Sequence, residues 1–114
     1  MSNITISVIS LDYTLDYPLV LFDVYFVVPD QIPFFGGHRY HLGKGALSLQ
    51  QTSIDIPFSE GPVSADIRLT LEPQRSLFVV EGWVKLDFKI DSWSWDIGPT
   101  FIPYGSSFSP SEPP

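Results

Sequence analysis

The chain is predicted to be all-β, an antiparallel β-sandwich or a small β-barrel of about six to eight strands. Three observations carry that expectation. Apolar residues recur at every second position in several segments, the period of a strand with one buried face. No segment keeps a 3.6-residue apolar period over three turns. Eleven prolines and eight glycines in 114 residues cut the chain into lengths too short for long helices.

The elements follow in order. Ile4, Ile6 and Val8 alternate with Thr5 and Ser7, a first strand. The phase then slips at Ile9–Ser10, as a β-bulge or bend would cause, and Leu11, Tyr13, Leu15 and Tyr17 continue the alternation. Pro18 to Val28 is apolar on both parities apart from Asp23, so it reads as a central strand covered on both faces and ended by Pro29. Residues 30–45 read as a loop punctuated by Pro33, Gly36, Gly37, Gly43 and Gly45. Ala46 to Phe58 is strand-like, with a parity change near Gln51–Thr52 that suggests a second bulge.

Ser59 to Pro62 is a turn, and Val63, Ala65, Ile67, Leu69 and Leu71 form an amphipathic strand. Glu72 to Arg75 links it, as a hairpin, to the strongest pattern in the chain. From Leu77 to Trp95 the even positions include Val80, Val84, Leu86, Phe88 and Ile90, while the odd ones carry Glu81, Lys85, Asp87, Lys89 and Asp91. Thr100 to Tyr104 is a last short strand. Residues 1–105 are expected to form one β domain, and the Ser/Pro-rich stretch 106–114 a disordered tail.

Composition bounds the function. The formal charge of −7 argues against nucleic acid, whose phosphates need clustered cations. It also sets the protein against an anionic membrane surface, and the longest apolar run is too short to span a bilayer, so no membrane partner is expected. There is no cysteine, hence no disulfide and no thiolate metal site. The opening residues lack the charged-then-apolar pattern of a signal peptide, which suggests a cytoplasmic protein or one released by another route. No cofactor is expected.

If one register holds from Leu77 to Trp95, all three tryptophans fall on the odd, charged parity. Trp83, Trp93 and Trp95 would then be a stacking platform for a sugar ring, whose C–H face packs on indole. Asp87, Asp91 and Asp96 would accept hydrogen bonds from its hydroxyls. Two readings compete: a twist at Asp91–Ser92 that turns indoles into the core, or burial of the row against a second subunit.

Asp23 is a weak catalytic candidate. A carboxylate on an apolar strand, pointing into a barrel lumen beside Tyr25, would be tuned toward acid–base work. The favoured explanation is structural: an inward charge guarding a sheet edge, or a carboxylate satisfied by Arg or backbone N–H. His38 and His41 have half the spacing of a metal site but no third ligand nearby in sequence, so no metal is assigned. Phe34 and Phe35 in this loop could dip into a membrane or a partner or flap over a ligand, but plugging the open end of the fold is the favoured reading. The expected function is therefore a non-catalytic module binding a small molecule or glycan on surface aromatics. The alternatives are a barrel that binds, cyclises or isomerises an apolar molecule, and a homo-oligomeric assembly protein; a homo-oligomer is compatible with all three.

Overall fold

A computed structural model describes residues 2–104; the stretch expected to be a disordered tail lies outside them. The described residues form eight antiparallel strands: β1 (Ser2–Ile6), β2 (Ile9–Asp16), β3 (Leu19–Val27), β4 (Arg39–Leu47), β5 (Ser53–Glu60), β6 (Val63–Glu72), β7 (Leu77–Phe88) and β8 (Asp91–Pro103). They make two four-stranded meanders, β1-β2-β3-β4 and β5-β6-β7-β8, each in chain order. The sheets pack face to face as a sandwich and do not close into a barrel. The lumen imagined for an apolar substrate has no counterpart, because the space between the sheets is filled by side chains.

Strand parity decides the core. β3 sends Val20, Phe22, Val24 and Phe26 inward, β6 sends its odd residues, and β7 sends Phe78, Val80, Val84 and Leu86. Aromatic edges lock the layers together. The Phe78 ring meets Phe22 and Tyr13 of the other sheet, each at 5.1 Å and steeply inclined, a geometry that adds to simple area burial.

Four expectations are corrected. The slip at Ile9–Ser10 is no bulge; β1 and β2 are separate strands joined by a tight turn at Ser7–Val8, with Ser7 in the left-handed region (φ 55°). The parity change near Gln51–Thr52 is where the chain leaves one sheet for the other, through residues 48–52. There the Ser48 hydroxyl accepts from the Gln50 and Gln51 backbone N–H groups. β3 is covered on one face only, since Leu19 and Leu21 on its other face are exposed.

The fourth correction concerns the loop, which ends at His38, because β4 runs straight through Gly43 and Gly45. These two glycines serve packing. Cβ atoms there would come within 2.7 Å of Ile56 and 2.5 Å of Ile54, so their absence lets β5 side chains approach β4.

Phe78 is fully buried between two aromatic partners. Phe78→Ala is expected to cost about 3–5 kcal/mol, read as a lower denaturant midpoint with an unchanged m-value. A loss below about 1 kcal/mol would show that this seam does not hold the sheets together.

Candidate functional site

The tryptophan row is divided by a turn. β7 ends at Phe88, and Lys89–Ile90 reverses the chain into β8. In that hairpin Leu86 pairs with Trp93 and Val84 with Trp95. Paired residues share a face, so the inward parity is even on β7 and odd on β8. Trp93 and Trp95 therefore lean on the core, Trp95 against Phe26 (5.6 Å) and Trp93 against Phe88 (6.0 Å). Only Trp83 keeps the expected outward position, with 43% of its surface exposed.

The expected carboxylates separate in the same way. Asp96 pairs directly with Trp83 across β7 and β8. Asp87 lies further along the outer face, 3.8 Å from the Lys85 ammonium. Asp91 sits at the hairpin end, where it accepts the Ser92 backbone N–H at 2.9 Å. Asp23 is on the outer face of the first sheet, neither in a lumen nor in the core. Its side chain is 38% exposed, and one oxygen lies 3.0 Å from His41 Nε2. Water and His41 thus satisfy the carboxylate that the sequence placed among apolar neighbours. Among the described residues no cluster of three metal-binding side chains occurs.

The structure adds residues that the sequence reading did not bring to Trp83. The β6–β7 register pairs Asp66 with Trp83 and Arg68 with Glu81, while β5 sets Asp55 beside Arg68. The outer face of the second sheet thus carries two adjacent cross-strand rows, Asp66–Trp83–Asp96 and Asp55–Arg68–Glu81. These side chains line a shallow depression of about 440 Å³ floored by Gly82, Ile97 and Gly98.

Its floor is shaped by backbone. β7 and β8 slip register between Val80 and Gly82, and both glycines have positive φ (151° and 67°). A Cβ at Gly82 would strike the Asp66 carbonyl oxygen, and one at Gly98 the Val80 carbonyl oxygen. The bulge therefore requires glycine at both places.

Arg68 donates from Nε and Nη2 to the two Asp55 oxygens at 2.8 and 3.3 Å. That paired contact holds the Asp55 carboxyl below the usual carboxylate range. Asp66 differs. One of its oxygens is shut off from solvent and has no hydrogen-bond partner, an unpaired buried acceptor in a residue that lines the depression. Four carboxylates against one guanidinium make the depression electronegative, and the polar ring around one exposed indole suits a ligand with an apolar face and many hydroxyl donors. No protein-family model, curated protein or solved structure matches the chain.

Because pairing with Arg68 lowers the folded-state pKa of Asp55, its contribution to stability is present above the unfolded pKa and fades as pH falls through the folded one. In Arg68→Gln the Asp55 carboxyl is expected to titrate at higher pH, followed by NMR of its side-chain carbon. An unmoved midpoint would mean that the pair does not form in solution.

Proposed function

We propose that the protein is a non-catalytic binding module that takes a saccharide on the outer face of β5 to β8. The observation that carries this reading is the row Asp66–Trp83–Asp96: an exposed indole flanked on both sides by carboxylates, one with an oxygen lacking any partner. A pyranose ring would lie on Trp83 with its axial C–H groups against the π-face, and its hydroxyls would reach Asp66 and Asp96. Carboxylate acceptors make such hydrogen bonds stronger than neutral acceptors do. Arg68, tied to Asp55, gives the depression a fixed rim rather than a free anion-binding group. The electronegative lining disfavours uronic, sialylated or sulfated sugars.

A binding role fits better than an enzymatic one. The side-chain hydrogen bond found among the described lining residues joins Arg68 to Asp55, and it is not the nucleophile–base pair of covalent catalysis.

Neutral oligosaccharides are expected to bind saturably in calorimetry and to quench the emission of Trp83. Trp83→Ala should weaken binding at least tenfold, about 1.4 kcal/mol, with an unchanged melting temperature. Asp66→Ala should weaken it as well. A panel of neutral glycans that all fail to bind, or a Trp83→Ala protein that binds as tightly as the parent, would overturn the reading.

A further inference from the structure

Two large apolar side chains stand almost wholly in water at the same end of the sandwich. Phe34 is 98% exposed on the β3–β4 loop, and Ile90 is 97% exposed on the β7–β8 turn. They come from different sheets and rise on either side of an apolar cleft of about 390 Å³ whose floor is Phe35, Phe88 and Trp93. Phe35 and Phe88 are 4.8 Å apart, so the adjacent phenylalanines divide their work: Phe35 closes the core and Phe34 projects outward.

The projection is built. Phe34 adopts φ +69°, a left-handed conformation unfavourable for a side chain of that size. The loop around it is tied by backbone hydrogen bonds from Ile32 to Pro29, Gly36 to Ile32, Gly37 to Val28 and His38 to Phe35. The left-handed backbone of Phe34 costs free energy and its ring gains no burial in return, so what they serve lies outside the folded chain.

We propose that this end docks on a zwitterionic lipid surface, with Phe34 and Ile90 inserted among the headgroups and upper acyl chains. The protrusion itself narrows the choice of occupant. A small molecule held in the cleft would leave the outer sides of both tips wet, whereas an extended apolar medium covers them entirely. A second copy meeting this end would use the smallest face of the molecule: β8, at about 3.3 Å per residue, fits only the 55 Å axis, so the strands run lengthwise and the end spans about 22 × 19 Å, whereas a stable interface buries roughly 800 Å² per partner.

Charge points the same way. Arg39 and Lys89 at this end stand against Asp30, Asp91 and Glu60, with Lys85 and Asp87 paired just behind, so two cations against three carboxylates leave the docking end at a formal −1 in a chain of net charge −7. An anionic leaflet repels the molecule as a whole, while a phosphatidylcholine surface does not. Trp93, just behind the tips, would sit at headgroup depth, where indole is favoured. Trp83 lies five residues back along β7, about 17 Å from the end, so end-on docking leaves its face open.

The test is co-sedimentation of the full chain with phosphatidylcholine vesicles, with and without phosphatidylserine. Sedimentation velocity without lipid runs alongside. Phe34→Asn removes the ring but tolerates the left-handed backbone, and Ile90→Ser removes the second tip; both sites are exposed, so the melting temperature should hold. The proposal expects binding to phosphatidylcholine, weaker binding as phosphatidylserine is added, and at least a fivefold loss in the double variant. Absence of wild-type binding, or equal binding by the double variant, would overturn it. So would a lipid-free dimer that dissociates in the double variant, since a second copy would then be the occupant.

Discussion

The contact between Phe78 and the pair Phe22 and Tyr13 is the constraint on which the remaining architecture rests. It joins the two meanders and fixes which parity of each strand is dry. Once Phe78 points inward, Val80 does too, and after the Gly82 bulge so do Val84 and Leu86. Trp83 is then obliged to face water. The register of β6 and β8 on β7 brings Asp66 and Asp96 to its two sides. The polar site is thus the reverse side of the core, made by the same alternation that buries the apolar residues.

The bulge at Val80–Gly82 keeps that alternation from producing a flat face. It places Gly82 and Gly98 in the same depression as Trp83, at positions where any side chain would collide with a neighbouring carbonyl. The result is a depression beside Trp83 instead of a uniform charged surface. Asp55 and Arg68 occupy each other, so the Asp66 oxygen without a partner is the part of this face left chemically unsatisfied.

Much of the fold was legible because β6 and β7 alternate cleanly, and parity is a physical statement about pleated strands. What parity reading lacks is the position of tight turns. Lys89–Ile90 carries no Asn-Gly or similar signature, so Leu77 to Trp95 reads as one strand with Trp93 and Trp95 on the outer parity, whereas the turn brings both against the core. Gly43 and Gly45 looked like loop residues because glycine for close packing and glycine for turning are identical in sequence. Asp66 and Arg68 stood on the polar parity of β6 all along. Their place beside Trp83 and Glu81 depends on a cross-strand register that only pairing reveals. Asp23 was misleading for the converse reason: an apolar stretch hid the fact that its odd face is half wet.

The two sheets are sequential, so every strand pairing among the described residues is a hairpin between chain neighbours. Among the described residues no backbone ladder joins those before 48 to those after 52. During synthesis the first four strands can therefore complete their ladders before the fifth has emerged, with Phe22, Val24 and Phe26 as an open apolar surface awaiting a cover. Loop-closure entropy is small for each hairpin and is concentrated in the single event that folds one sheet over the other. The kinetic weight of the protein accordingly falls on five residues of connecting chain rather than on any strand.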